Sequence, residues 1–443
     1  MDNIAAISTG MVASGVAVIR ISGSSPLEVA EKVFVPAGKV KVKDFKPNYM
    51  YTGDILADGF SDFGMCVYFK APRSFTGEDT VELHSHGGIA IVEGILKKVL
   101  SSGARLAENG EFTKRAFING KLSLSSAEGI IDMINARTAS AVKAGTYLYR
   151  EKLTAEISAV QDKLTDALSE IDVNIDFPEE DLEEVSTENV KSALSDSVAK
   201  LISLLATYKT GRALKDGVRV GIAGKPNTGK SSLLNALLNY DKAIVSPVAG
   251  TTRDVVEGSI DINGVRFNFS DTAGIRESGD YVESVGVELS KRVLNESDLI
   301  LFVMDGGNID EEDEKIYRAV KDKNTLVVIN KTDISDFKDP RADLYVSALT
   351  KRNLDELKEN IYSKTVGQGL DLSGDFLCEE RHYDAVGRAL KKLQSALNGI
   401  GNVPLDILAI DIKDAWDCLG EISGKTATEE IINNIFSKFC VGK

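Results

Sequence analysis

Gly224-Lys225-Pro226-Asn227-Thr228-Gly229-Lys230-Ser231-Ser232 lies between an apolar run, Val218-Arg219-Val220-Gly221-Ile222-Ala223, and a helix-forming stretch, Ser232-Leu233-Leu234-Asn235-Ala236-Leu237-Leu238. Strand, glycine-rich loop, helix: that order predicts an α/β unit whose loop wraps a phosphate. The glycines permit backbone shapes that other residues resist, so successive N–H groups can turn inward around a β-phosphate. Gly224, Asn227, Thr228, Gly229 and Ser232 would form the wall of that cradle. Lys230 is placed to reach the β- and γ-oxygens, and the Ser231 hydroxyl to ligate Mg²⁺. A bare glycine turn of the same spacing needs no ligand; the flanking strand and helix favour the phosphate.

Four further segments follow in order. Gly250-Thr251-Thr252-Arg253-Asp254 offers Thr252, whose hydroxyl can complete a Mg²⁺ shell once a γ-phosphate is present. Asp271-Thr272-Ala273-Gly274 follows the alternating run Val265 to Phe269. There the carboxylate can hold a metal-bound water, and the Gly274 N–H can bond the γ-phosphate. Asn330-Lys331-Thr332-Asp333 follows Leu326-Val327-Val328-Ile329. Asp333 would accept the two edge protons that guanine has and adenine lacks, with Asn330 near O6; a missing partner would leave a buried carboxylate unsatisfied. Ser347-Ala348-Leu349 closes the last strand and can present a backbone N–H to the same O6. Each segment alone reads as a strand-end turn. Together, in this order, they predict a Ras-like GTP-binding domain with a mostly parallel sheet.

The glutamine that orients the attacking water in Ras-like enzymes has Ile275 at the corresponding position here, which can neither donate nor accept a hydrogen bond. The missing electrostatics must come from elsewhere. Asn227 has two readings: its amide oxygen faces a monovalent cation between the α- and γ-phosphates, or it only stabilises the loop turn. A cation there would stand in for an arginine finger, a role worth about 10³–10⁵ in rate.

At 443 residues the chain suggests two to four domains. Its 43% hydrophobic and 27% charged content is ordinary for soluble protein. No apolar run approaches membrane-spanning length, and Met1-Asp2-Asn3 does not open a signal peptide, so a cytoplasmic protein with no membrane role is expected. Cys66, Cys378, Cys418 and Cys440 have no paired spacing and read as reduced thiols. His84 and His86 form the one close histidine pair, with no nearby cysteine to make a metal site. The net charge of −15 argues against a broad phosphate-tracking surface, so any nucleic-acid contact needs a restricted basic patch or a partner. Part of the excess is local: Asp176 to Glu184 packs six acids into nine residues and reads as a solvated loop.

The texture changes along the chain. Residues 1–120 mix short apolar runs (Val16 to Ile19, Met65 to Phe69, Thr80 to Leu83) with glycine turns and one helix, about Ile89 to Leu100, an α+β pattern. From 121 to 215 the period becomes helical. Leu153, Ile157, Val160, Leu164, Ala167, Ile171 and Val173 mark one long amphipathic helix. The GTPase pattern occupies 216–365, and 366–443 is helical again, with Leu408, Ile412, Trp416, Leu419, Ile422, Ile431, Ile435 and Phe436 available for a buried face. A GTPase domain inserted into an all-α domain is expected, making the whole a multidomain α/β chain.

With these segments in hand, the chain resembles the MnmE (TrmE) family. The resemblance rests on the domain order, Gly250-Thr251-Thr252-Arg253-Asp254, Phe75-Thr76-Gly77-Glu78-Asp79-Thr80-Val81-Glu82-Leu83-His84 and the terminal Phe439-Cys440-Val441-Gly442-Lys443. It implies an N-terminal tetrahydrofolate-binding-like domain that forms a homodimer. It also implies an FAD-containing partner, MnmG, in a heterotetramer or larger complex. The joint product is an aminomethyl or carboxymethylaminomethyl group on C5 of the wobble uridine of certain tRNAs. K⁺ stimulates GTP hydrolysis in the family. By position, Asn227 would be a K⁺ ligand, and Ser246-Pro247-Val248-Ala249-Gly250-Thr251 the loop completing the shell through backbone oxygens of Ser246, Val248 and Thr251. Ser246 replaces a common threonine, a change that a backbone ligand survives. Glu283 matches the carboxylate that positions the attacking water. Arg20, Glu82, Lys121 and Lys443 match contacts to a 5-formyl or 5,10-methylene tetrahydrofolate. Thr9 to Gly15 departs from the family's usual Pro/Gly/Arg-rich turn, which bears on the local shape of that pocket. Cys440 has two readings, catalytic thiol beside the folate or helix-end packing.

A different class shares the GTPase segments: ribosome-assembly switches of the Era or Der type. Those should carry an RNA-binding KH module after the GTPase domain, whereas this tail reads as helix.

Overall fold

A computed structural model describes residues 2–176, 183–240, 258–271, 293–367 and 376–443. The chain opens with β1 (Ile4–Ile7), β2 (Ser14–Gly23), α1 (Pro26–Val33), β3 (Phe34–Pro36), β4 (Met50–Ala57), β5 (Phe60–Phe69), β6 (Asp79–Gly87), α2 (Ile89–Ser101), β7 (Arg105–Leu106) and α3 (Glu111–Ile118). Helices α4 (Leu124–Asn135), α5 (Ala139–Tyr149), α6 (Lys152–Asp176), α7 (Glu183–Ala206) and α8 (Tyr208–Asp216) follow. Next come β8 (Val218–Ala223), α9 (Lys230–Tyr240), β9 (Gly258–Ile262), β10 (Val265–Asp271), β11 (Leu299–Asp305), α10 (Glu311–Val320), β12 (Thr325–Asn330), β13 (Leu344–Tyr345) and α11 (Leu354–Thr365). Helices α12 (Glu380–Gly399), α13 (Leu405–Ser423) and α14 (Glu429–Ser437) close the chain. Two compact units result: Met1–Ile131 with Leu148–Ser197 and Arg388–Lys443, and Asp132–Tyr147 with Val198–Gly387.

The first unit is built on a seven-stranded sheet, ordered β3-β4-β5-β6-β2-β1-β7. Side chains alternate across a strand, and β2 shows why that matters. Ala17, Ile19 and Ile21 enter the core shared with α1 and α2, whereas Arg20, between them, belongs to the opposite face. On that face Ile4, Ala6, Ala107 and Phe112 make a smaller apolar cluster with Phe75 packed against it. Two short helices, α1 and α3, join the expected α2 within residues 1–120. Each has only eight residues, too few turns to print a helical period in the sequence.

In the same unit α6 buries Leu153, Ile157, Val160, Leu164, Ala167 and Ile171 as the periodicity predicts. Val173 corrects that stripe. It is 47% exposed, because a two-residue step from Ile171 carries it about 200° around the helix. After α12 the tail forms two helices: Gly424 ends α13 in a left-handed turn, and the Thr428 hydroxyl accepts the Ile431 N–H to start α14. Leu408, Ile412, Leu419, Ile422, Ile435 and Phe436 are buried; Trp416 and Ile431 are half-buried.

The second unit carries a six-stranded sheet, ordered β13-β12-β11-β8-β10-β9. β8, β10, β11, β12 and β13 run parallel, and β9 pairs antiparallel with β10. Central β11 is buried from Leu299 to Met304, as a parallel strand covered on both faces must be. This is a Ras-like fold, and its ligand crevice lies beyond the carboxyl ends of the central strands. Among the described residues no helix is long and apolar enough to cross a membrane.

Candidate nucleotide site and the Arg20–Glu82 face

The loop from Gly224 to Gly229 leaves the carboxyl end of β8 and enters α9 at Lys230. Its shape depends on left-handed backbone. Gly229 has φ +88°, and a Cβ there would stand 2.4 Å from Asn330 Nδ2. Asn227 has φ +65°, a region where asparagine is several-fold enriched. That supports the turn-stabilising reading of Asn227 and does not compete with a cation contact by its side chain. Lys230 Nζ lies 2.9 Å from both the Gly224 and Lys225 carbonyls, spanning the mouth of the loop. Ser231 follows it in the first turn of α9. The Thr228 hydroxyl donates to the Lys225 carbonyl at 3.0 Å.

The base-side segment is tied to this loop. Asn330, 1% exposed, donates its amide to the Thr228 carbonyl at 3.0 Å and accepts the Ala348 N–H at 3.0 Å. Both ends of its amide thus brace the loops around the base position. The Ala348 N–H is committed to that brace. Lys331 donates to the Asn227 carbonyl at 2.8 Å and to Asp305 Oδ2 at 2.7 Å. Burial works against the Asp305 carboxylate, but Lys331 and the Gly307 N–H outweigh it and hold its pKa below the usual range. Asp333 is exposed, with one carboxylate oxygen accepting the Ser347 hydroxyl at 2.6 Å. Leu349 is exposed. Asp271 ends β10 opposite Ile222 of β8, which brings the metal-side segment to the same sheet edge.

The expected Ser246, Pro247, Val248, Ala249, Gly250, Thr251, Thr252, Thr272, Ala273, Gly274 and Glu283 lie outside the described residues, as does most of the acidic run 176–184.

On the first unit, Arg20 and Glu82 face one another on paired strands, Nε to Oε1 at 2.8 Å. The Arg20 guanidinium lies 5.2 Å from the Phe75 ring centroid and 5.7 Å from that of Phe112. His84 Nε2 stands 3.5 Å from Glu82 Oε2. Burial raises the pKa of Glu82, but His84 and Arg20 more than offset it and keep the carboxyl below its ordinary value. Lys121 donates to the Pro72 carbonyl at 2.9 Å, beside the loop that carries Phe75. The chain's last residues dock near the other side of the pair. Val441 bridges to Asn109, and the Gly110 N–H meets the Cys440 carbonyl at 3.4 Å. Gly442 takes φ +100°, where a Cβ would stand 2.1 Å from the Ile7 carbonyl oxygen, and Ile7 pairs with Ile19, next to Arg20. Lys443 follows directly, its N–H on the Cys440 carbonyl. Cys440 itself is exposed, whereas Cys66 and Cys378 are buried thiols pushed up to about 12, chiefly by desolvation.

Sequence reasoning missed Phe112 and Asp305. Phe112 has no local signal, since it meets Arg20 from 92 positions away. Asp305 ends an apolar strand whose unbroken hydrophobicity says nothing about its last residue. His86 bonds Asp62 rather than His84, and no group of metal-ligating side chains occurs among the described residues.

The model of the N-terminus of the GTP-binding protein TrmE matches residues 3–121, and the MnmE helical domain model matches 124–440. The tRNA modification GTPase MnmE of Clostridioides difficile (strain 630) is 38% identical over 455 aligned residues, which cover 100% of this chain and 99% of that protein. The chain belongs to the MnmE family. It is accordingly a GTP-binding enzyme, a GTPase. MnmE of Streptococcus pneumoniae (strain Hungary19A-6) is likewise 38% identical, over 452 residues, again covering 100% of this chain and 99% of its own. A solved structure of Era from Aquifex aeolicus is 35% identical where it aligns, over 40% of this chain and 66% of its own, with a TM-score of 0.28.

Proposed function

We propose that this MnmE-family protein is a K⁺-stimulated GTPase. With an FAD-containing MnmG-type partner, it adds an aminomethyl or carboxymethylaminomethyl group to C5 of the wobble uridine of certain tRNAs. The observation that carries this is 38% identity along the whole chain with proteins named tRNA modification GTPases. Helices α12, α13 and α14, with no sheet strand among the described residues after 376, disfavour the ribosome-assembly alternative, whose KH module would need one.

The loop residues suit a nucleotide. Inward-turned backbone from Gly224 to Ser232 would bind the phosphates, Lys230 would neutralise the β- and γ-oxygens, and Asp333 would select guanine. Ser231 and Thr252 would hold Mg²⁺, with Asp271 behind a bound water; the ion spreads charge between the phosphates during transfer. Thr272, Ala273 and the Gly274 N–H would border the γ-phosphate, and Glu283 would orient water. Asn227, with Ser246, Val248 and Thr251, would hold K⁺, which supplies charge where other GTPases use an arginine. Arg20 and Glu82, walled by the Phe75 and Phe112 rings, suit the flat, hydrogen-bonding edge of a folate pterin. Lys121 and Lys443 suit its acidic tail. Cys440, three residues before Lys443, is an exposed thiol of unassigned role. Exposed Met11, Val12 and Val16 on the N-terminal domain favour a homodimer contact. The acidic surface favours tRNA binding shared with the partner, in the cytoplasm.

Hydrolysis tests the cation. Turnover in KCl should exceed turnover in NaCl by at least about tenfold, a small part of the roughly 10³–10⁵ that a finger charge is worth. Equal rates would remove K⁺ from the account.

A further inference from the structure

The second residue of the phosphate loop is a buried lysine. Lys225 is 5% exposed, and its side chain runs away from the cradle towards the start of α10. Its ammonium donates to the Asn308 carbonyl at 2.5 Å and to Asp310 Oδ2 at 2.8 Å, and lies 2.9 Å from Asp313 Oδ2. Asp310 also caps α10, accepting the Glu312 and Asp313 N–H groups, while Asp313 returns a carboxylate oxygen to the Asp310 N–H. Asp313 is fully buried, and its other oxygen, Oδ1, has no hydrogen-bond partner. Lys225 is therefore the counter-charge that lets a carboxylate sit there. Burial opposes the charge on Lys225, but Asp310 and Asp313 outweigh it and hold the pKa above the ordinary lysine value.

The same residue's carbonyl accepts both the Thr228 hydroxyl and Lys230 Nζ. One side chain thus bolts the first turn of the loop to α10, while its backbone seats the lysine that meets the phosphates. Asn330 and Lys331 anchor the far end of the loop at Thr228 and Asn227. Lys225 is the tie described for the near end.

We propose that Lys225 is a positioning residue for GTP binding. Clamped by Asp310 and Asp313, it fixes the loop's first turn so that Lys230 and the backbone N–H groups meet the β- and γ-phosphates. This rests on the loop holding a guanine nucleotide.

The test is titration of the full-length protein and its variants with GDP and a non-hydrolysable GTP analogue, alongside steady-state hydrolysis and thermal unfolding. Lys225→Met should weaken both nucleotides by about tenfold or more and raise KM in step, with a much smaller fall in kcat. Lys225→Arg, which keeps the charge, should restore most of the affinity. Lys225→Met with Asp313→Asn removes the stranded carboxylate as well. It should recover thermal stability without recovering affinity, which separates positioning from a purely structural ion pair. If Lys225→Met binds like wild type, if the double variant regains affinity, or if only kcat falls, the inference is overturned. Should Lys225→Met not fold, the double variant and Lys225→Arg decide on the same criteria. Wild-type protein that failed to bind GDP would instead fault the nucleotide-site reading.

Discussion

The phosphate loop and the Arg20–Glu82 face, the two proposed binding sites, are built in opposite ways. In the loop the backbone presents the binding groups, and side chains (Lys331, Asn330, Lys225) hold that backbone in a shape it would not keep alone. On the face the backbone is a stable sheet, and the side chains themselves present charge and aromatic surface. A loop of the first kind fails when its backbone is perturbed. A face of the second kind tolerates backbone-neutral changes and fails when its side chains, or the tail docked beside them, are displaced.

Gly229→Ala is the largest expected effect. The new methyl would meet Asn330 Nδ2 at a backbone angle that favours glycine, so the loop must open. Nucleotide affinity measured by GDP titration should fall by about 100-fold or more, the scale of two lost charge-assisted contacts. Near-normal affinity would break the contrast, because it would mean the loop's shape is dispensable.

Gly442→Ala probes the face and should have a middling effect. Its methyl would collide with the Ile7 carbonyl and lift the tail from its seat. Binding of a tetrahydrofolate derivative, followed by calorimetry, should weaken by about tenfold, as for one lost charged contact at a partly open site. GTP hydrolysis should stay within about twofold. Loss of both activities together would show that the two sites are not separable.

The smallest effect concerns a charge cluster in the nucleotide-binding unit that belongs to neither site. Lys215, at the end of α8, lies 2.9 Å from Asp132 Oδ1 and also bonds Glu379. Burial, then the neighbouring Glu379, raises the Asp132 carboxyl to about 8, against the partial relief given by Lys215. The folded protein therefore keeps a proton that the unfolded chain loses near pH 4. Stability should decline as pH rises above about 4 and level off once the folded carboxyl has ionised. Asp132→Asn should flatten the decline in thermal midpoint measured from pH 5 to 9; parallel profiles for the two proteins would contradict it.

The same contrast explains what the sequence could reveal. The loop was legible because its strand, glycines, lysine and helix are contiguous, and because each later GTPase segment sits at the end of its own strand. Eight-residue α1 and α3 left no period to read, and Val173, two residues past Ile171, breaks the three- and four-residue spacing of its stripe. The Arg20–Glu82 face was visible only through a family resemblance. Its parts come from β2, β6, the loop before β6, α3 and the last five residues, and no local rule joins Arg20 to Phe112 or Ile7 to Gly442. Contacts of long sequence separation are set by packing, which spacing does not encode.

Modification of the wobble uridine bears most directly on the whole account. Nucleosides from bulk tRNA should be compared between cells with the intact gene, cells lacking it, and deleted cells supplied with the Gly229→Ala form. The account predicts that C5-aminomethyl-type uridines disappear in the deletion and that the variant fails to restore them. Fully modified wobble uridines in the deleted cells would contradict it.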